Sequence, residues 1–388
     1  MIRHAVINRK LIRLLIAPAI ALIPALCMAE SVILQANLEG TGIYNDIGPR
    51  KDSSLLWKFD AGSPIISTPI VYENSVYFID FENSVYALNK DDGTIIWSKE
   101  LEGQPSFQIT ANEEMLFIGL SSPEDQASSY MLALDKKTGE EHWRFETEVQ
   151  IGMDSPIAHE DKLYFTLMYG QLFSLDINTG EEAWRFPISG GSGQPLISGD
   201  TLYLQDDSQT LYAIDLIDGS EKWQKTPQHS PTSEIAHPAL NNCCILTISN
   251  NESSGLIIIT NRHTGETEAE FSIEHPSLSS ISLADKVAFF GDEGEGHADA
   301  HGYMNAMDIE SGELLWRFET EGFVRGAASI AGDTVYFGSH DHYMYAVNRH
   351  TGEMRWRYET NAGIASTPAI VDGRLYFGSI DGHLYVLE

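Results

Sequence analysis

Apolar and polar positions follow one another along this chain in a unit that recurs from end to end. Its first clear copy is VYALNKDDGTIIW at Val85–Trp97: a short apolar run, an Asn, a polar turn closed by Gly, and a second run ending in Trp. Near-copies of the unit occupy Met131–Trp143, Leu172–Trp184, Leu211–Trp223, Met304–Trp316 and Met344–Trp356. A repeat this regular predicts an architecture of similar units packed side by side.

The last copy shows how many strands one unit holds. Residues 363–388 read GIASTPAIVDGRLYFGSIDGHLYVLE, three alternating runs separated by Asp372-Gly373 and Asp381-Gly382. Asp-Gly between such runs predicts tight hairpin turns, because the turn that matches the strand twist requires positive φ. The fourth strand, which carries Trp in the other units, is missing here. SSLLWKFD at Ser53–Asp60 is a Trp strand without a preceding third strand, so we expect the two ends to complete one sheet.

The Trp-strand position occurs eight times, at intervals of 39 to 47 residues. All seven Trp residues of the protein stand at it, and Ala269 takes the remaining place; the seven are Trp57, Trp97, Trp143, Trp184, Trp223, Trp316 and Trp356. Four strands per unit and a period near 40 residues predict an all-β, eight-bladed β-propeller of four-stranded antiparallel blades. The N-terminal strand closes this ring by joining the C-terminal blade, which removes an open sheet edge.

Each recurring residue of the unit has a physical role. The indole fits a packing slot between neighbouring sheets, and its N–H can reach a carbonyl. The Asp or Asn at the end of the third strand starts the turn by bonding backbone N–H groups, and the turn Gly supplies positive φ. In the fifth unit Thr260 stands for the Asp and Ala269 for the Trp, whereas Gly265 is kept. We therefore expect the fifth blade to be the least well packed.

Residues 1–29 have the organisation of a signal peptide. Four basic residues precede an apolar run at Leu14–Leu26, and Ala29 is a small residue before a cleavage site. The run is short for a membrane span, although an uncleaved anchor stays open as an alternative. Leu26 and Pro24 depart from the lipoprotein signal expected ahead of Cys27. The prediction is export to a bacterial periplasm or beyond the cell.

The mature chain is predicted to be soluble and monomeric, with two parts. Residues 30–52 lack periodicity and form a leader expected to pack loosely, and residues 53–388 form the propeller domain. The formal net charge of the protein is −32, and beyond residue 29 the chain holds 20 basic and 56 acidic residues, a net −36. Such a surface repels phosphate backbones, so nucleic acid is excluded as a partner.

The repeat LYALD-x-x-TG-x-x-x-W resembles that of the quinoprotein-type, or PQQ-like, eight-bladed propellers, and the likeness covers about Ser53–Glu388. This family includes quinoprotein alcohol dehydrogenases and BamB-like scaffold lipoproteins of the outer-membrane β-barrel assembly machinery. The resemblance therefore implies either an enzyme that binds pyrroloquinoline quinone and calcium or a scaffold without a cofactor. The motif is specific for the fold and not for the function, because function lies in sites carried by the fold.

Ligands of propellers usually bind on the face formed by the loops that enter each innermost strand and by the loops between the second and third strands. Here these entry loops offer five candidate ligand-binding residues: Asp154, Gln194, Glu234, His237 and Arg325. An acid, an amide and an Arg around a funnel suit a polar ligand. The alternative is that they line a water-filled channel.

One second-to-third strand loop, GDEGEGHADAHGY at Gly291–Tyr303, is unusually long and acidic. His-x-Asp-x-His in an extended segment puts three side chains on one side, and mixed imidazole and carboxylate ligands suit zinc or another transition metal, whereas carboxylates alone suit calcium. The candidate metal ligands are Asp292, Glu293, His297, Asp299 and His301. The alternative is a solvated acidic loop. The nearby His340, Asp341 and His342 are predicted to occupy an ordinary tight turn.

Cys243 and Cys244 are adjacent and fall at the predicted start of a strand. Neighbouring strand residues point to opposite faces, so the residues favour two unpaired thiols over a strained disulfide. The family resemblance adds that quinoprotein enzymes often carry an adjacent-cysteine disulfide against the quinone, whereas here the register is that of a strand and not of a face loop.

No nucleophile elbow, phosphate-binding loop or metalloprotease motif occurs in the chain. The sequence thus favours a non-catalytic propeller that acts as a scaffold or binding module in the cell envelope, with envelope proteins as partners and no cofactor. The alternatives are a quinoprotein dehydrogenase and a metal- or polysaccharide-binding propeller.

Overall fold

The computed structural model describes residues 36–50, 53–121, 129–152, 156–168, 170–191, 193–226, 236–251, 253–294 and 301–388. The predicted signal peptide lies outside these ranges. Within them, no helix is long and apolar enough to cross a membrane.

Eight four-stranded antiparallel sheets form a ring, which confirms the predicted eight-bladed β-propeller. Two strands precede blade 1 in the chain: β1 (Ile43–Tyr44) and β2 (Leu55–Asp60). Blades 1 and 2 comprise β3 (Ile70–Tyr72), β4 (Ser75–Ile79), β5 (Ser84–Asn89), β6 (Ile95–Glu100), β7 (Gln104–Ala111), β8 (Met115–Ser121), β9 (Ser129–Asp135) and β10 (Glu141–Thr147). Blades 3 and 4 comprise β11 (Ile157–His159), β12 (Lys162–Thr166), β13 (Gln171–Asp176), β14 (Glu182–Pro187), β15 (Leu196–Ser198), β16 (Thr201–Gln205), β17 (Leu211–Asp215) and β18 (Glu221–Lys225).

The second half of the ring repeats the arrangement. Blades 5 and 6 comprise β19 (Ala239–Leu240), β20 (Cys244–Asn250), β21 (Gly255–Asn261), β22 (Thr267–Ile273), β23 (Ser282–Ala284), β24 (Val287–Asp292), β25 (Gly302–Asp308) and β26 (Leu314–Thr320). Blade 7 comprises β27 (Ser329–Ala331), β28 (Thr334–Gly338), β29 (Tyr343–Asn348) and β30 (Met354–Glu359), and blade 8 adds β31 (Ala369–Val371), β32 (Arg374–Gly378) and β33 (His383–Leu387).

Blade 8 takes its outermost strand from the other end of the chain. β2 pairs antiparallel with β33, with Trp57 opposite Val386. Ser54 and Glu388 exchange two backbone hydrogen bonds of 3.0 Å at the end of this ladder. The predicted closure of the ring by the N-terminal strand is therefore confirmed.

The seven indoles have equivalent contacts. Each Trp Nε1 donates a hydrogen bond of 2.8 to 3.2 Å to a backbone carbonyl, and in six of the seven cases that carbonyl directly follows the turn Asp or Asn of the next blade. The turn Gly lies directly under the indole: a Cβ on Gly139, at φ +71°, would come within 2.7 Å of the Trp97 ring. The Trp of one blade therefore requires a Gly in the turn of the next blade.

In the fifth blade, the turn residue assigned from the sequence was wrong. Its turn residue is Asn261 and not Thr260: Asn261 Oδ1 accepts the backbone N–H groups of His263 (2.9 Å) and Thr264 (3.1 Å). The error was one of register, because the turn residue stands four positions before Gly265 as in every other unit. Only the Trp is missing, and the Phe271 ring lies over Gly312 of blade 6 where an indole lies elsewhere.

The leader does not pack loosely over the part that the structure describes, so that expectation is wrong. Its carbonyls at Leu38, Glu39, Thr41 and Gly42 accept the backbone N–H groups of Ile197, Leu240, Leu283 and Ile330, at 2.8 to 3.0 Å. β1 then pairs parallel with β27. The acceptors lie along the free edges of the innermost strands of blades 4 to 7, which face the central channel. Unpaired strand edges offer N–H groups that must be satisfied, and the leader satisfies them.

Candidate functional site

The entry-loop residues predicted to bind a ligand come from separate blades. Gln194 precedes β15 of blade 4, His237 precedes β19 of blade 5, and Arg325 precedes β27 of blade 7; Asp154 and Glu234 lie outside the described residues. The Gln194 side chain is only 1% exposed, and neither polar atom of its amide has a hydrogen-bond partner among the residues that the structure describes. The Arg325 side chain is 45% exposed. The described candidates therefore stand at the entry loops of three different blades and differ in exposure.

Arg325 instead joins residues from the neighbouring blade loops. Its Nε donates a hydrogen bond to Glu293 Oε1, and its guanidinium lies 5.5 Å from the ring centroid of Phe323. The Phe323 ring centroid is 6.2 Å from that of His340, whose Nε2 is buried and has no hydrogen-bond partner in the described ranges. We name Glu293, Phe323, Arg325 and His340 the funnel-face cluster. His340 was predicted to be an ordinary turn residue; it does lie in the turn, but its ring packs inward.

The electrostatics of the funnel-face cluster favour a neutral imidazole. Burial lowers the pKa of His340, the Arg325 guanidinium lowers it further, and Glu293 opposes both effects. A neutral imidazole beside an ion pair suits hydrogen bonding to a polar ligand. Sequence reasoning missed Phe323 and the inward side chain of His340, because neither carries a motif.

The candidate metal ligands that the structure describes have separate partners. Asp292 accepts the Gly294 N–H (2.9 Å) and the Asn305 side-chain amide (2.8 Å). Glu293 pairs with Arg325, and His301 Nδ1 lies 3.1 Å from Glu319 Oε1. Burial raises the pKa of Asp292. Among the described residues no three His, Cys, Asp or Glu side chains meet as a metal cage; His297 and Asp299 lie outside them.

The two cysteines lie in the turn between β19 and β20, at the opposite end of β19 from its entry loop. Their sulfurs are 2.7 Å apart as free thiols, with Cys243 exposed and Cys244 buried. Cys244 begins β20, as its register predicts. The pair therefore does not lie at the funnel face, where the resemblance would require it to stack on a quinone.

An exposed apolar band runs along the outermost strands of four consecutive blades. Of the two positions before the Trp-strand position, the first holds an apolar residue in each of these blades: Leu314 in blade 6, Met354 in blade 7, Leu55 in blade 8 and Ile95 in blade 1. The second position holds Leu315, Arg355, Leu56 and Ile96 in the same order. Leu314, Leu315, Met354, Leu55, Ile95 and Ile96 are 41 to 54% exposed, and Leu56 is half-buried. A β-bulge at this point sets both positions opposite one partner residue, as Ile95 and Trp97 show by pairing with the successive residues Leu88 and Ala87. In blades 2 to 5 these positions hold Glu141, His142, Glu182, Ala183, Glu221, Lys222, Thr267 and Glu268.

The fold and its repeat define an eight-bladed propeller of the PQQ-like class. The profile of the family described as "Outer membrane protein assembly factor BamB" matches residues 49–119, 127–289 and 300–388. The match covers most of the chain, and the chain belongs to this family. No curated protein sequence matches it.

Solved structures share the fold at low sequence identity. BamB from Moraxella catarrhalis is 18% identical over 87% of this chain and 98% of its own, with a TM-score of 0.68. Quinohemoprotein alcohol dehydrogenase ADHIIG from Pseudomonas putida HK5 is 13% identical over 92% of this chain and 80% of its own, with a TM-score of 0.74. A europium-containing methanol dehydrogenase is 14% identical over 92% of this chain and 98% of its own, with a TM-score of 0.72. At these identities the likeness concerns the fold alone.

Proposed function

We propose that this chain is an exported, non-catalytic propeller of the cell envelope that binds a protein partner through its apolar band. The observation that carries the proposal is the placement of the band. Single exposed apolar side chains are normal on any protein, but here they occupy one repeat position on four adjacent blades and are absent from it on the other four. Exposed apolar side chains that recur at one position on neighbouring blades, with polar residues at that position elsewhere, support an interaction surface.

The outermost strands carry this band at the free edges of their sheets. Such an edge presents unpaired N–H and C=O groups that an extended segment of a partner can pair with. Ile95 and Ile96 in β6, and Leu314 and Leu315 in β26, offer apolar contacts beside those groups. The partner we infer is therefore an envelope protein with an apolar, extended segment, in keeping with the assembly-factor family to which the chain belongs.

Matched single substitutions test this proposal. Ile96→Glu and Leu315→Glu each place one charge in the band, and Ile217→Glu makes the same change at an 83% exposed residue of blade 4 outside it. After cross-linking in the intact envelope, wild type and Ile217→Glu should capture the same envelope protein, and both band variants should lose it. Equal capture by all four proteins would overturn the proposal.

A second measurement separates scaffold from enzyme. The purified protein is incubated with pyrroloquinoline quinone and calcium, then assayed for bound quinone by absorbance and for dye-linked alcohol oxidation. Bound quinone with turnover would overturn the non-catalytic proposal and would indicate a quinoprotein dehydrogenase, an activity of enzymes with the same fold.

A further inference from the structure

Four of the eight blade interfaces contain the same trio of aromatic rings. One ring lies two residues after the Trp of one blade, and the other two lie opposite each other in the second and third strands of the next blade. Phe145, Phe165 and Phe173 show the pattern, with ring centroids 5.4 to 6.2 Å apart. The same three positions are aromatic at three further interfaces: Phe59, Phe78 and Tyr86; Phe318, Phe337 and Tyr345; and Tyr358, Phe377 and Tyr385.

The interface between blades 4 and 5 has none of the three rings. The interface between blades 1 and 2 also has none, with Lys99, Ile118 and Leu132 at the three positions, but apolar side chains pack it fully. Lys225 stands two residues after Trp223, and Thr247 and Ile258 are the opposed pair in β20 and β21. The described apolar cluster between blades 4 and 5 holds six buried residues, against nine to fourteen at each of the other seven interfaces. A cavity of about 430 Å³ lies at this interface, lined among others by Lys225, Thr247 and Ile258. This size lies within the range of about 300–1,000 Å³ typical of ligand pockets.

Two glutamines line this cavity with unsatisfied hydrogen-bonding groups. Gln205 and Gln209 flank the loop between β16 and β17, and their side chains are only 2% and 3% exposed. Within the described part of the chain, Gln205 Oε1 and both amide atoms of Gln209 have no hydrogen-bond partner. Gln209 also has a φ of +59°, which a residue with a side chain adopts at a cost. Buried polar atoms are normally satisfied in folded proteins, so these groups point to a ligand that supplies the missing bonds.

The walls select the chemistry of that ligand. Thr226, Thr247, Thr260 and Thr267 add hydroxyl groups, while Leu211 and Ile258 form an apolar side. The carboxylates of Glu266 and Glu270 add hydrogen-bond acceptors, and Lys225 adds a donor. Amides and hydroxyls both donate and accept, which matches a ligand whose own groups do both. An extended peptide would need pockets for its side chains or a free strand edge, whereas Gln205 and Gln209 approach from a loop.

We propose that the cavity between blades 4 and 5 is a binding site for a neutral, polyhydroxylated ligand of the carbohydrate class, held by Gln205 and Gln209. The site lies on blades outside the apolar band. It is therefore independent of the proposed scaffold function, and either proposal can fail while the other stands.

Saturation-transfer NMR of the whole mature protein with a panel of neutral mono- and disaccharides tests the site. Gln209→Leu removes the unsatisfied amide, and Thr247→Phe restores one ring of the missing trio. We expect each variant to weaken saccharide binding at least about tenfold, which corresponds to roughly 1.4 kcal/mol. Gln171→Leu, the same change at a residue of blade 3 outside the cavity, should bind as wild type does.

A second readout keeps the test valid if a variant is poorly folded. Removing a buried group that lacks a partner relieves a desolvation cost, so Gln209→Leu should leave the melting temperature of the ligand-free protein unchanged or higher. Absence of any saccharide signal from wild type, with water alone in the cavity, would overturn the proposal. So would binding that survives in Gln209→Leu and Thr247→Phe, or binding of peptides in place of saccharides.

Discussion

The indole nitrogen of Trp356 donates a hydrogen bond to the carbonyl oxygen of Pro49, 2.9 Å away. In the other six cases a Trp bonds to a carbonyl in a turn of the next blade. The leader supplies the carbonyl in its place, and the hydroxyl of Tyr336 also donates to Pro49, at 2.9 Å. The ring is thus closed twice, by β2 and by the leader.

Substitution of Gly42 should therefore destabilise the whole ring. Gly42 has a φ of +69°, and a Cβ there would lie 2.6 Å from both the Ala328 carbonyl oxygen and Ser282 Oγ. We expect Gly42→Ala to lower the free energy of unfolding by more than about 2 kcal/mol, as measured by urea denaturation, and to expose the leader to limited proteolysis.

Gly62→Ala is the matched control, because Gly62 has a φ of +80° but nothing within 4 Å of an added Cβ. It carries only the backbone strain, about 1 kcal/mol, and should leave the leader protected. Equal losses in the two variants would show that the leader contributes little to the ring.

The fifth blade should have the lowest hydrogen-exchange protection, and the structure directs this prediction to its interface with blade 4. The Phe271 ring covers Gly312 on the blade 6 side, whereas on the blade 4 side Thr247 and Ile258 face a cavity. Sparse apolar packing lowers the free energy of local opening. Mass-spectrometric exchange should therefore show faster labelling of β20 and β21 than of β12 and β13, which enclose stacked rings. Uniform protection around the ring would contradict this.

The ring could be predicted from sequence because its determinants are local. The Trp, the turn Asn or Asp and the turn Gly each meet a requirement within one repeat, so eight blades and their closure follow from counting. Other features could not be predicted because they depend on which blades are neighbours. These are the contacts of the leader, the packing of Phe271 over Gly312 and the cavity at Thr247. Thr260 was mistaken for the turn residue because the unit was aligned on its strand and not on Gly265. The inward packing of His340 had no sequence signal, since its turn looks like any other.

The two cysteines should differ in reactivity. The thiolate is the reacting form, and burial, together with hydrogen bonds to Cys243 and Glu268, raises the pKa of Cys244 well above its usual range. Cys243 is exposed. Peptide mapping after brief treatment with iodoacetamide should find the label on Cys243 and little on Cys244, and Cys243→Ser should leave the protein almost unlabelled at this turn. Rapid labelling of Cys244 in that variant would disprove the assignment.

Acid should destabilise the protein partly through His340. Its pKa in the folded state is lowered, first by burial and then by Arg325, whereas in the unfolded chain a histidine titrates near about 6.5. Between the folded-state and unfolded-state pKa values the unfolded chain binds the extra proton, so stability rises with pH through this window and is lost as the pH falls below about 6.5.

His340→Gln removes this titration and should therefore reduce the loss of unfolding free energy between about pH 7.5 and about pH 5.5, as measured by urea denaturation at each pH. His142→Gln, at an exposed residue of blade 2, is the matched control and should keep the dependence of the wild type. Because Glu293 opposes the lowering of the His340 pKa, Glu293→Gln should steepen the acid dependence. An unchanged pH profile in His340→Gln would mean that its imidazole remains as solvated in the folded protein as in the unfolded chain.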